Sequence, residues 1–425
     1  MSGPPTDSTD PPRARSSVDP SDSPSDGSRT AGAERNAPGA GVAFDRLGDR
    51  GDLRRRLSPE RLTLLAGVLA LVTVFALHRA SDETYLVFRW SMDGEDWLLL
   101  LACVVVAAYV VVPLTRRPDR TKRYLRRLSR RPGATLALLF VLATTALGGW
   151  VVLTRFLARI PVEFGVYMNQ PPIGAQVSTT QMVNCAGERV GGVTDAVCRG
   201  SRAFPLGTDA RGQPMTQLLV SGSRPVVYAT LVSVGLIVPM ATVVGVVAGY
   251  YGGVVDDLLM SYVDVQLSVP AIFVYLVAYM FVINSGFVFL VAFGLLSWGG
   301  IARLVRSDAL RCREEGYITS ARAVGTPDVA VIKRHVLPTV ANSVVPATFH
   351  LIAIIVLTEA ALSFLGFSPF EQSWGTLIGE GLQNDAPLGV WWVSVFPMIA
   401  LASTIVACKV AGDGFRDVLA PRGDT

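Results

Sequence analysis

Residues 97–114 read WLLLLACVVVAAYVVVPL, a stretch without one charged side chain. About 20 apolar residues in a helix span the hydrocarbon core of a bilayer, where only helices and closed barrels satisfy their own backbone. Comparable runs recur at 62–78, 134–153, 225–249, 265–283, 287–302, 344–362 and 390–411. Half of the residues are hydrophobic and only 17% are charged, which agrees with those runs. The expected fold is an all-α polytopic membrane protein with about eight transmembrane helices. Pro270 should kink the fifth span. In the fourth, Ala241, Gly245, Ala248 and Gly249 should let neighbouring helices approach closely.

The segments between the runs set an orientation. Residues 1–45 are rich in Pro, Ser, Asp and Gly and poor in large apolar side chains, so they are expected to be disordered. The first apolar run starts only near Leu62, and no signal peptide is apparent. Asp82, Glu83, Asp93, Glu95 and Asp96 mark an acidic loop after it. Residues 115–133, TRRPDRTKRYLRRLSRRPG, carry mostly Arg and are placed in the cytoplasm by the positive-inside rule. Topology and anionic lipid explain this basic run better than RNA does, and no nucleic-acid partner is expected. Residues 156–223 must then lie outside. Cys185 and Cys198 fall there, in a disulfide-permissive compartment, and could be bridged or unpaired. Cys103, Cys312, Cys408, His78, His335 and His350 are scattered through the topology, so no metal site is expected. Eight crossings bring the Arg-rich loop, both termini and the stretch before residue 338 to the same, cytoplasmic side.

That stretch, REEGYITSARAVGTPDVAVIKRHVLP over 313–338, is polar, basic and helical in pattern. Tyr317, Ala321 and Val324 recur at i, i+4 and i+7 along one face of a helix. Gly325 stands where a left-handed C-cap is wanted. Thr326 suits an N-cap, Pro327 the first helical position, and Asp328 the positive end of the next helix dipole. Val329, Ile332 and Val336 form a second apolar stripe, and Pro338 falls near its end. Two short helices with a tight turn would offer an apolar face to a partner protein.

The same residues resemble the coupling loop, or EAA motif, of ABC-importer permeases. Gly325, Leu337 and Pro338 keep the family's spacings, and ARAVG (321–325) fits the dipeptide, oligopeptide and nickel branch. The motif's first two positions are here Thr319 and Ser320, and His335 replaces a common aliphatic residue. LGTDARG (206–212), GYYGG (249–253) with Asp256, Met260 and Asp264, TEAALSFLGF (358–367), SWGTLIGEG (373–381) and GDGFRDVLAPR (412–422) are similar to the same branch, in its order. Gln213 and Pro214 depart from the usual Arg-Asp. The chain is thus identified as resembling the second, C-type permease subunit of peptide importers.

The resemblance implies a six-helix permease core with an additional N-terminal helix pair. Its divisions are a disordered tail (1–60), the extra pair with the Arg-rich loop (61–133), the first core helix and outside loop (134–222), the core (223–413) with coupling loop 303–342, and a tail (414–425). It implies a sister permease subunit as heterodimer partner, two ATPase subunits and an extracytoplasmic solute-binding protein. The coupling residues carried over are Glu315, Tyr317, Ala321, Arg322, Ala323, Gly325, Thr326, Pro327, Leu337 and Pro338. ATP and Mg would belong to the ATPases, because this chain shows no GxxxxGK[ST] phosphate loop and is not expected to be an enzyme or to hold a cofactor. Glu359, an acidic residue in an apolar run, fits packing or gate hydrogen bonding better than substrate contact. An importer of nickel or another small solute is the alternative within the family. A secondary transporter would call for intramembrane charge pairs or inverted repeats, and neither stands out in the sequence.

Overall fold

The computed structural model describes residues 58–80, 93–116, 118–157, 166–182, 184–192, 195–282, 285–370, 372–385 and 389–419. Residues 1–57 of the expected disordered tail, Asp82, Glu83 and the last residues of the C-terminal string lie outside that set, while Pro59 and Glu60, expected in the tail, open the first helix. Among the described residues, seven helices are long and apolar enough to cross a membrane, and a bent pair makes an eighth. They are α1 (Pro59–Ala80), α2 (Gly94–Arg116), α4 (Pro132–Leu157), α5 (Met215–Tyr251), the pair α6 (Gly253–Ser268) and α7 (Ala271–Tyr279), α8 (Gly286–Glu314), α10 (Asp328–Phe364) and α12 (Trp392–Leu419). Three short helices join them: α3 (Pro118–Ser129), α9 (Gly316–Ala323) and α11 (Trp374–Glu380).

The bundle packs α5 on α8, α10 on α12 and α12 on α4. The small residues of α5 do what their size allows. A Cβ at Gly245 would stand 2.5 Å from the Ala302 carbonyl oxygen, and one at Gly249 would stand 2.6 Å from that of Arg306. Side chains any larger would push α8 away. Tyr228, Tyr250, Tyr275, Phe289, Trp298 and Trp392 fill the interior. By contrast α1 buries no residue at all, as a lipid-facing helix should.

Several spans run further than hydropathy alone suggests. The expected sixth span, 287–302, continues as α8 to Glu314. Its arginines do not end it because α6 answers them: Arg306 forks onto Asp256 at 2.5 and 2.6 Å, and Arg303 pairs with Asp264. The expected fifth span, 265–283, is broken rather than kinked. Pro270 lacks an N–H and separates α6 from α7 at 58°, with Val269 and Pro270 both extended. The seventh span begins at Asp328 instead of 344.

Three prolines within the helical runs do not break them, and the reason is local. Pro113, Pro239 and Pro338 each follow a wide turn closed by an i→i+5 bond, from Val112 to Ala107, Val238 to Ser233 and Leu337 to Ile332. Such a turn absorbs the missing donor and the ring.

At the end of the bundle away from α9, the described residues between 166 and 214 build a small module. Its three strands, β1 (Gln176–Ser178), β2 (Arg189–Val190) and β3 (Val197–Arg199), pair antiparallel in the order β1-β3-β2, with Val177 opposite Cys198. Cys185 and Cys198 are joined as a disulfide, their Cα atoms 5.7 Å apart. The buried Gln170 side chain stitches the module together, donating to the Asn184 carbonyl at 2.6 Å and accepting from the Ala186 N–H at 2.8 Å. Trp392, at the start of α12, donates its indole N–H to the Thr208 carbonyl at 2.9 Å. Residues 363–389, expected as a loop, hold the buried helix α11. Ser373 caps it by accepting from the Gly375 and Thr376 N–H groups, and Trp374, Leu377 and Ile378 are buried.

Candidate functional site: the hairpin between α8 and α10

The hairpin is a rigid corner fixed by backbone bonding. Glu315 is the N-cap of α9, and its carbonyl accepts from Ile318 at 3.0 Å. At the other end Gly325 has φ +81°, its N–H donates to the Arg322 carbonyl at 2.9 Å, and the Thr326 N–H reaches back to Ala321 at 3.1 Å. These two bonds form a Schellman motif, which needs a residue at ease with positive φ. The N-cap of the next helix is Pro327, not Thr326, and Asp328 opens α10. The second arm is no short helix ending at Pro338. It runs through the wide turn Ile332–Val336 into the membrane span, so corner and span are one rod.

One aromatic residue pins this corner to the bundle. Tyr250, buried at the end of α5, donates its hydroxyl hydrogen to Asp328 Oδ1 at 2.7 Å and accepts from Arg322 Nε at 3.1 Å. The Arg322 guanidinium also lies 4.4 Å from the centroid of the Tyr250 ring. Arg313 donates to the Tyr250 and Tyr251 carbonyls, both at 3.3 Å, and so caps α5. Both arms of the hairpin are thereby tied to α5.

The apolar stripes sit differently from their expected phase. Ile318, Val331 and Val336 are the buried anchors, and Ala321 is half-buried. Tyr317, Val324 and Val329 are 48%, 84% and 69% exposed, while Leu337 and Pro338 are exposed as well. The stripe read as Val329, Ile332 and Val336 is split, with Val329 exposed, Ile332 half-buried and Val336 buried, and the i→i+5 turn spaces the buried Val331 and Val336 five residues apart. Tyr317 is held from beneath, its hydroxyl 3.3 Å from Cys312 Sγ and its ring 5.6 Å from that of His335. Glu315 and Ala323 are exposed beside it. The result is an apolar knob on a fixed scaffold. Towards α12, a cavity of about 380 Å³ is lined by Asn342, Ser343, His350, Lys409, Asp413 and Arg416, among others.

Glu359 lies apart from the hairpin, towards the other end of α10. It is buried and accepts from Ser363 Oγ at 2.8 Å. Nearby, and unforeseen, is a second buried polar cluster. Arg224 Nη2 donates to Glu95 Oε1 at 2.5 Å, and the Tyr228 hydroxyl donates to Asp96 Oδ1 at 2.5 Å. The Arg224 guanidinium lies 5.4 and 5.8 Å from the ring centroids of Tyr228 and Phe370. Glu95 and Asp96, expected in an acidic loop, are instead in the first turn of α2. The signal was present as Arg224 opening one apolar run and Glu95-Asp96 opening another, on the same side of the expected topology. Among the described residues, no group of three or more His, Cys, Asp or Glu could hold a metal ion.

This bundle of membrane-crossing helices with a stiff, apolar-tipped hairpin has relatives among transport proteins. Residues 241–424 match the binding-protein-dependent transport system inner membrane component family. The glutathione transport system permease protein GsiD of Pectobacterium atrosepticum is 33% identical over 225 residues, 52% of this chain and 74% of the relative. The oligopeptide transport system permease protein OppC of Haemophilus influenzae is 30% identical over 221 residues, 51% of this chain and 70% of its own. OppC of Mycobacterium bovis is 32% identical over 220 residues, covering 51% and 75%. The chain belongs to this family, as a multi-pass ABC-importer permease of the peptide branch.

Proposed function

We propose that the chain is one of two permease subunits of an ATP-driven importer for di- and oligopeptides. The observation that carries this reading is the hairpin 315–338, a corner too well fixed to be a mere connection. Its exposed Tyr317, Val324 and Val329 would seat in a groove on an ATPase subunit, while Tyr250 and the unbroken α10 carry the movement into the bundle. Closure of two ATPases on ATP and Mg would displace the hairpin as a unit and tilt α5 and α10 together. On this reading the hairpin end, the Arg-rich loop and both termini face the cytoplasm. The disulfide-bonded module faces outwards and receives substrate from a solute-binding protein. A sister permease completes the pathway.

The test is purification of the tagged chain in mild detergent from its native cells, with mass spectrometry of what is bound. Recovery of ATPase subunits and a second permease supports the assembly. A binding protein recovered with them is then assayed for peptides against nickel, which decides the substrate class. Recovery of the folded chain alone would refute the reading.

A further inference from the structure

The helix α3 has no task in the importer reading, yet it is built for a surface. Its sequence, PDRTKRYLRRLS, sets Arg120, Lys122, Arg123, Arg126 and Arg127 against the single carboxylate of Asp119. At about 100° per residue, Tyr124, Leu125 and Leu128 share one face, and Lys122, Arg123, Arg126 and Arg127 share the other. The core uses only the last residue of the apolar face. Leu128 is 2% exposed and packs with Ala134, Val418 and Phe415, whereas Tyr124 and Leu125 remain 46% and 60% exposed.

The helix is held in place at both ends. Thr121 Oγ donates to the Leu114 carbonyl at 3.1 Å, Thr135 Oγ to the Leu128 carbonyl at 2.9 Å, and Arg131 pairs with Asp417 of α12. Among the described residues, no carboxylate pairs with Lys122, Arg123, Arg126 or Arg127. With membrane spans α2 and α4 entering and leaving it, α3 lies within a few residues of the lipid surface. An amphipathic helix at that depth buries its apolar face among acyl chains and turns its cations to the headgroups.

We propose that α3 is a docking site for anionic phospholipid headgroups of the cytoplasmic leaflet, with Lys122, Arg123, Arg126 and Arg127 reaching the phosphates and Tyr124 and Leu125 the acyl boundary. The orientation rests on the proposed function, but lipid retention needs neither ATPases nor transport, so the two readings fail separately. The full chain is purified in a neutral detergent and titrated with phosphatidylglycerol or phosphatidylcholine, and retained lipid is counted by native mass spectrometry. Preferential retention of phosphatidylglycerol, weakened by salt, is expected. Each cation neutralised should lower that preference by about fivefold, so Lys122→Gln, Arg123→Gln, Arg126→Gln and Arg127→Gln combined should erase it. These side chains are exposed, and elution as a single species checks that the variant folds. Equal retention of both lipids by the parent chain would overturn the proposal. So would an unchanged preference in the variant, or displacement of the lipid by an RNA oligonucleotide that binds more tightly.

Discussion

Replacing Gly325 isolates the stiffness of the hairpin corner from every other property. Gly325 has φ +81°, and an ideal Cβ built there meets nothing within 4 Å. An added Cβ therefore collides with no neighbour in this chain, and its cost there is conformational. Holding a non-glycine residue in that region costs about 1–2 kcal/mol, and more for a β-branched residue. The alternative is to abandon the two Schellman bonds, Gly325 to Arg322 and Thr326 to Ala321, at about 1 kcal/mol each. The cheaper route sets the limit, so Gly325→Val should cost about 2 kcal/mol and shift the formed corner by about 30-fold. Asn tolerates positive φ, so Gly325→Asn should be nearly neutral and Gly325→Ala intermediate. The assay is ATP-driven peptide uptake by the assembled complex in proteoliposomes, with the amount of inserted chain measured in parallel. We expect about tenfold loss or more for Val with normal insertion. Normal uptake by the Val variant would refute the stiff-corner reasoning. Equal loss for Asn and Val would show that space, not φ, is what the position requires.

Three further outcomes follow from the same geometry. Tyr250→Phe removes the hydroxyl shared by Asp328 and Arg322 and should loosen the hairpin by about 1–3 kcal/mol, read as faster amide exchange across 315–338; unchanged exchange would mean Tyr250 is not the pin. Arg224→Met leaves Glu95 and Asp96 buried without their cation and should cost about 3–5 kcal/mol, seen as a lower melting temperature in detergent. Adding Glu95→Gln should return part of that loss, and strict additivity would argue against the pairing. Burial raises the Asp209 carboxyl above its usual range, against the pull of the Gln213 and Arg211 N–H groups. The folded chain then holds that proton more readily than the unfolded one, so this residue's contribution to stability falls as pH rises from the ordinary carboxylate value through the folded one. Asp209→Asn should remove that slope and leave the variant relatively more stable at neutral than at acid pH. Its thermal melting compared at both would show the opposite if the sign is wrong.

The membrane spans were legible in the sequence because hydrophobicity over about 20 residues is a property of the solvent rather than of any partner. The small residues of α5 were legible for a similar reason. Gly245 and Gly249 have one use in an apolar helix, and α8 sits where they point. What hydropathy could not give was the ends of the spans. Arg303 and Arg306 look like the end of a helix until Asp264 and Asp256 arrive from 39 and 50 residues away. Pro338 and Pro270 look alike in sequence, but one follows a wide turn and the other does not. In the hairpin the positive φ of Gly325 was readable, since the residue type and its spacing both demand it. The burial phase was not: Ile318 rather than its neighbour Tyr317 faces the bundle, a rotation of one residue that residue type does not encode, and the later wide turn sets the buried Val331 and Val336 five residues apart rather than four. The pin at Tyr250 was likewise hidden, being 72 and 78 residues distant from its partners.

The seating of α2 bears on how the chain could be cut or recombined. Its Ala102 lies so close to α5 that a Cβ at Gly235 would stand 2.7 Å from the Ala102 carbonyl oxygen. Arg224 of the same helix spends its charge on Glu95. The leading helix pair is therefore a graft whose socket is written into the core, not a portable appendage. A protein trimmed to begin at Pro132 would carry an empty glycine notch and a buried guanidinium without its carboxylate. A relative given the pair would need Arg224 and Gly235 with it.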